Sequence, residues 1–215
     1  MKQLSLEDLK RAAAGPRAGT VAQERMIPNP RRRDTAALPP GQSQKEAAVL
    51  VLVFESSGEF RFVLTLRTET VATHKGQVSL PGGTRHPGEP LEQTALRETG
   101  EELGIDPSGI ELLGGPLTPL YIPVSGFWVT PYVGLWRDEP VFRAAPAEVI
   151  EVIEPRLSDL VDDNLVQVED WEIRGVKTKV PFFYLSGHKV WGATAMMLGE
   201  FAEMLKVQAA LQESS

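Results

Sequence analysis

The chain has 215 residues, of which 42% are hydrophobic and 24% charged, with a formal net charge of −7; this balance suits one soluble globular domain with a sizeable core and argues against general attraction to nucleic acid or anionic membranes. A polyanionic ligand must therefore be held by local cations. The lack of cysteine excludes disulfides, thiolate catalysis and cysteine-ligated zinc or iron–sulfur centres, and His74, His86 and His188 are too dispersed for a zinc motif.

The first residues mix acidic and basic side chains without a signal-like apolar stretch, and no apolar run is long enough to span a bilayer, so a cytoplasmic location is expected. Leu4 to Ala14 has helical spacing, whereas Gly15 to Gln44, with Arg31 to Arg33 and Pro39-Pro40, lacks a sustained period and reads as an extended arm. The chain thus divides into an N-terminal helix and arm, 1–44, and a compact body, 45–215. Ala47–Phe54 is a continuous apolar run and Phe60–Arg67 alternates, so both are predicted strands joined by a turn at Ser56-Ser57-Gly58. A loop with Pro81-Gly82-Gly83 leads to a predicted helix from Pro90 to Leu103, with proline suited to its first position and Gly104 to its end. Strands are expected over Phe127–Trp136, Ala147–Ile153, Val166–Ile173 and Val176–Tyr184, and an amphipathic helix over Ala193–Val207. This mixture predicts an α+β fold, with sheet and helices in layers.

At 3.6 residues per turn, Glu98 and Glu102 stand one above the other, beside the face formed by Leu91, Ala95, Thr99 and Leu103. Like charges at this spacing cost an isolated helix roughly 0.2–0.5 kcal/mol, more when partly buried, and a hard divalent ion between them would relieve the repulsion. Arg97 falls within reach of Glu101, so Glu101 is in part a salt-bridge partner and Glu98 and Glu102 are the better ligands. Gly100 weakens the helix interior by about 1 kcal/mol relative to alanine, which points to close approach of backbone or ligand there. An arbitrary glutamate-rich helix is more often a solvated face. Here the surrounding spacing reverses that reading.

Gly83, Glu89, Arg97-Glu98, Glu101-Glu102, Gly104 and Ile105 stand at the spacings of the Nudix box, and the chain strongly resembles that family, departing at Thr99, where a large aliphatic residue is usual. The resemblance implies a Nudix-type α/β/α sandwich with a mixed sheet. It also implies attack by water on a diphosphate linkage, with Mg2+ or Mn2+ held by Glu98, Glu102, Glu101 and the backbone carbonyl of Gly82. Glu89 and Arg97 then brace loop and helix. A carboxylate outside the box can complete such a site; Glu148 is the best downstream candidate, and a plain surface glutamate is the equal alternative.

A second resemblance lies in Leu64–Arg67 followed by His74–Gly83, which looks like the segment preceding the box in coenzyme A pyrophosphatases. Further matches are Pro119–Phe127, Ala145–Val152, Pro181–Phe183 and Trp191–Ala195, so the likeness extends across most of 45–205. It implies cleavage of coenzyme A or acyl-coenzyme A to 3′,5′-ADP and (acyl-)4′-phosphopantetheine. Arg67, His74, Lys75 and Gln77 become candidate substrate-binding residues, although each also has a plain structural reading as a strand, loop or solvated side chain. The pattern departs at Thr68, at Leu80, and at Ala72, where a second arginine is usual; Arg67, Lys75 or Arg85 would have to supply that cation. Other nucleoside diphosphate derivatives, such as ADP-ribose or a dinucleotide, and a non-catalytic Nudix-fold binding module are the competing readings. The expected partner is a small-molecule substrate, not nucleic acid or membrane; homodimerisation is compatible with the sequence, but nothing requires it. Trp191 and Ser125-Gly126 are read as a packing anchor and a turn.

Overall fold

A computed structural model describes residues 4–30, 45–68, 77–138 and 140–213. The valine-rich run becomes β1 (Lys45–Ser56), which pairs in parallel with β8 (Phe127–Trp136) over ten residues, from Lys45↔Phe127 to Phe54↔Trp136. Its apolar residues run without interruption because both faces are covered. Ala48, Leu50, Leu52 and Phe54 join one buried cluster, with Ala95, Leu103 and Tyr132. Ala47, Val51 and Val53 join another, with Leu9, Val133, Leu198 and Phe201. Full burial of each Leu or Val side chain contributes roughly 1.5–3 kcal/mol.

On the first face lies α3 (Leu91–Leu103), packed on β1 and β5 (Gly82–Thr84). On the second lie α1 (Leu6–Ala14), α2 (Gly19–Glu24) and α4 (Gly192–Glu213). The central sheet has the order β2-β1-β8-β6, with β2 at Glu59–Phe62 and β6 at Ile110–Leu112; β5 also pairs with β1, and β7 (Leu120–Ile122) with β8. Because β1–β8 is parallel and the other pairs are antiparallel, the sheet is mixed, and helices cover both sides, as expected.

Two features differ from the sequence reading. The alternating stretch Phe60–Arg67 is two strands: β2 belongs to the central sheet, while β3 (Leu64–Arg67) joins a second sheet with β4 (Val78–Ser79) and β9 (Val149–Ile153). Phe62, Val63 and Leu64 are all buried where the chain crosses between sheets, so the apolar pattern shows no break. The segment read as an arm from Gly15 contains α2, a six-residue helix without a side-chain cap. It sits on α4, as does α1, and Asn29 exchanges backbone hydrogen bonds with Lys179 at 2.9 and 2.8 Å. The described N-terminal residues are thus continuous with the core. A third sheet, β10 (Val166–Ile173), β11 (Val176–Leu185) and β12 (His188–Trp191), ends directly in α4. Among the described residues, no helix is long and apolar enough to cross a membrane.

Candidate active site

Pro90 caps α3 in an extended conformation rather than occupying its first turn, and Gly104 ends it at φ 65°, ψ 37°, the left-handed geometry a glycine reaches without a Cβ penalty. Gly104 N donates to Gly100 O at 2.9 Å and Ile105 N to the same oxygen at 3.2 Å. A Cβ on Gly100 would stand 3.0 Å from Ile105 O, so the close approach expected there is by backbone. The last carbonyls of a helix need donors from elsewhere. Here Arg143 N donates to Leu103 O at 2.8 Å and Ala145 N to Glu102 O at 2.9 Å. That loop carries the exposed Glu148, whose carbonyl accepts from Thr68 N at 3.0 Å, while Thr68 Oγ1 donates to Ala147 O at 3.0 Å.

At the start of the helix, Arg97 grips Glu89 with two bonds, Nε to Oε1 at 2.8 Å and Nη2 to Oε2 at 3.0 Å. Glu89 Oε2 also accepts from His86 N at 3.1 Å and Thr94 Oγ1 at 2.8 Å. The Arg97 bonds, then the His86 amide, hold the Glu89 carboxyl well below the ordinary carboxylate range, and Glu89 in turn raises the Arg97 guanidinium further. Arg97 also reaches Thr84 O at 3.2 Å, Glu98 Oε1 at 2.9 Å and Glu101 Oε2 at 3.3 Å. Glu101 is 63% exposed.

Gly82 and Gly83 bring backbone against the acidic face. Gly82, at φ 147°, lies so close to β1 that a Cβ would come within 2.3 Å of Ala48 O. Its N–H donates to Glu102 Oε2 at 3.3 Å. A Cβ on Gly83 would stand 2.2 Å from Glu98 Oε2, so the Glu98 carboxylate occupies the space a side chain would fill. Glu102 is only 3% exposed, and its Oε1 accepts from Arg67 Nη1 at 3.2 Å. Burial drives its carboxyl up to about 7; Arg67 and the Gly82 amide oppose that, while the charges of Glu148 and Glu98 add to it. Burial likewise raises Glu98, opposed by Arg97 and reinforced by Glu101 and Glu148.

Glu98, Glu102, Gly82, Arg67 and Glu148 thus act on one another, with Glu101 at the solvent edge. Gln77 accepts Arg67 N on its carbonyl at 3.2 Å. His74, Lys75, Ala72 and Arg31 to Arg33 lie outside the described residues. Arg85 is committed elsewhere, to Glu46 Oε2 at 2.5 Å and Glu89 O at 2.5 Å. Leu80 is buried in the main cluster, Ser125-Gly126 forms a turn with Gly126 N bonded to Ile122 O at 2.9 Å, and Trp191 packs edge-on against Trp171 at 5.2 Å. Two contributors carried no motif signal: Thr94, which fixes Glu89, and Thr68, which fixes the Glu148 loop. A threonine one turn into a helix, facing an upstream glutamate, is the pattern that would have flagged the first.

Among the described residues, no three acidic or histidine side chains converge as a closed metal cluster; Arg67 and Arg97 hold the two inner carboxylates instead. The donor set is nonetheless hard oxygen, concentrated on one helix face and internally repulsive, which fits Mg2+ or Mn2+.

A model of the NUDIX domain matches residues 44–182. A Photorhabdus laumondii protein named "Uncharacterized Nudix hydrolase NudL" is 33% identical over 166 residues, covering 77% of this chain and 87% of that protein. "Nudix hydrolase 22, chloroplastic" of Arabidopsis thaliana is 36% identical over 162 residues, covering 72% of this chain and 53% of that protein. In three dimensions, a C. elegans Ap4A hydrolase in a binary complex superposes with a TM-score of 0.51 at 17% identity, over 80% of this chain and 99% of that one, a likeness of fold. With Glu98, Glu101 and Glu102 on α3, Glu89 clamped to that helix by Arg97, and the family model spanning most of the body, the chain belongs to the Nudix hydrolase family.

Proposed function

We propose that this protein hydrolyses the pyrophosphate bond of coenzyme A or acyl-coenzyme A, using Mg2+ or Mn2+, to give 3′,5′-ADP and (acyl-)4′-phosphopantetheine. The observation that carries this reading is the position of Arg67. It is the described cation of the segment that resembles coenzyme A pyrophosphatases, and its guanidinium lies 3.2 Å from Glu102, at the acidic face that would hold metal. Glu98, Glu102, the Gly82 carbonyl and, at the edge, Glu101 would hold the ions, which supply charge neutralisation of the diphosphate and acidification of water. Glu89 and Arg97 keep the glycine loop against the helix. Glu148, brought to the pair by the Arg143–Ala145 ties, adds negative charge where a proton must be taken from water. Arg67 and Gln77, with His74 and Lys75, would bind the substrate's phosphates.

A second reading, another nucleoside diphosphate derivative such as ADP-ribose or a dinucleotide, is favoured by Ala72 in place of the usual arginine. A non-catalytic Nudix-fold module is disfavoured because Glu89, Glu98, Glu101 and Glu102 are all present. The test is incubation of the protein with Mg2+ or Mn2+ and, separately, coenzyme A, acetyl-coenzyme A, ADP-ribose and a dinucleotide, with products identified by mass. Preferential release of 3′,5′-ADP and phosphopantetheine is expected. Preferential cleavage of another compound would overturn the coenzyme A assignment, and no turnover of any would overturn the enzyme reading.

A further inference from the structure

Three arginines surround the acidic face, and they are not held alike. Arg97 is locked by its two bonds to Glu89, and Arg85 by Glu46 and the Glu89 carbonyl. Arg67 makes a single side-chain bond among the described residues, from Nη1 to Glu102 Oε1, and remains 20% exposed. Its backbone is fixed by Arg67 N to Gln77 O at 3.2 Å and by pairing with Val149, across a register shift between Leu66 and Arg67. Such an irregularity re-aims a side chain relative to the regular ladder. The backbone is thus pinned, and the guanidinium can turn without disturbing the sheet.

The Glu102 oxygens are divided: Oε2 takes the Gly82 amide and Oε1 takes Arg67. A divalent cation at Oε1 and a guanidinium on the same oxygen would repel each other in a poorly hydrated setting. A guanidinium displaced there needs an acceptor of matching geometry, and a diphosphate offers one, since its oxygens suit the planar fork.

We propose that Arg67 is an exchange residue, its guanidinium alternating between Glu102 and the substrate diphosphate, so that occupation of Glu102 by a divalent cation releases Arg67 to the phosphates. Metal and substrate then bind with positive coupling beyond their direct contact, and the coupling is reciprocal. Arg67 also keeps Glu102 paired until the exchange occurs.

This rests on the reading of Glu102 as a metal ligand of a diphosphate hydrolase, and its test is separate from that reaction. Binding of inorganic pyrophosphate is measured calorimetrically in excess chelator for wild type, Arg67→Met, Glu102→Gln and the double variant, each checked by thermal melting. With Glu102 present, Arg67 is occupied, so Arg67→Met should change affinity less than about twofold. With Glu102→Gln, Arg67 is free, and adding Arg67→Met should cost on the order of tenfold, the worth of a charge-assisted hydrogen bond to phosphate. Equal cost in both backgrounds, or absence of pyrophosphate binding in all four proteins, overturns the exchange. Should Arg67→Met fail to fold, Arg67→Lys, which keeps the charge and loses the fork, runs the same cycle with a coupling of about threefold expected, and no coupling overturns it. The product assay with metal reads the hydrolase assignment independently.

Discussion

Among the described residues two glutamates are buried, one on each side of the central sheet, and their surroundings are opposite in kind. Glu200, on α4, is fully buried and accepts from Gly19 N at 3.2 Å, Gln23 Nε2 at 2.9 Å, Thr118 N at 3.1 and 3.2 Å and Thr118 Oγ1 at 2.7 Å. Neutral donors saturate it, and it ties α2 and the approach to β7 onto α4. Glu102 is also buried, yet it has one amide at 3.3 Å and one arginine at 3.2 Å, and it faces further carboxylates. A saturated buried carboxylate is a structural fastener. One left partly unsatisfied among like charges suits a ligand brought from outside.

Substitution separates the two roles. Glu102→Gln should lower metal-dependent turnover on the order of 10²–10³-fold, comparable to losing a principal charge-stabilising group, while the thermal melt holds or improves. Glu200→Ala should do the reverse, costing about 3 kcal/mol of stability because Gln23 and Thr118 lose their acceptor, with turnover per folded molecule retained. If Glu200→Ala abolished turnover in a fully folded protein, the contrast would fail. Gly83→Ala tests the packing of Glu98: with a methyl at 2.2 Å from its carboxylate, turnover should fall roughly 10–100-fold without unfolding.

The comparison also has a pH signature in metal-free protein. The Glu102 carboxyl is raised from 4.5 to about 7, so the folded state holds its proton more tightly than the unfolded chain does. That contribution to stability is fully present below about 4.5 and is lost as pH rises through 7. Melting of Glu102→Gln alongside wild type in chelator should therefore show the variant gaining relative stability from pH 5 to 8, whereas a constant difference would deny the shift. The smallest effect concerns Thr99. Its Oγ1 is buried with no hydrogen-bond partner among the described residues, so Thr99→Val, which removes the orphan hydroxyl at nearly constant volume, should stabilise by about 1 kcal/mol in a denaturant melt.

Much of this was legible from the chain because the signals were local and redundant. β1 announced itself because both its faces are covered, the Glu98–Glu102 pair followed from spacing along one helix, and the Glu89–Arg97 brace was implied by the resemblance to the Nudix box. The passage from β2 to β3 left no mark, since Phe62, Val63 and Leu64 are buried in succession while the chain changes sheets. The strands β4 to β7, two or three residues long, are too short for periodicity to register. α2 escaped because its stability comes from α4 and Glu200 rather than from its own six residues. Thr68 and Thr94 depend on partners that only the fold defines, as does the bond between Arg67 and Glu102.

The tie between the Arg143–Ala145 backbone and the end of α3 has a consequence for how the molecule acquires its site. Arg67, Gly82, Glu98, Glu102 and Glu148 span more than a third of the chain, and they meet only when β3 has paired with β9 and the loop has docked on the helix carbonyls. The β1–β2 hairpin and α3 rely on nearer contacts, which close at lower entropic cost than distant ones. α3 on its own already carries Glu98 and Glu102 one turn apart, whereas Glu148 and Arg67 join that acidic face only through the long-range β3–β9 pairing and the docking of the loop, so the repulsion is first met within one helix and is completed by distant parts of the chain.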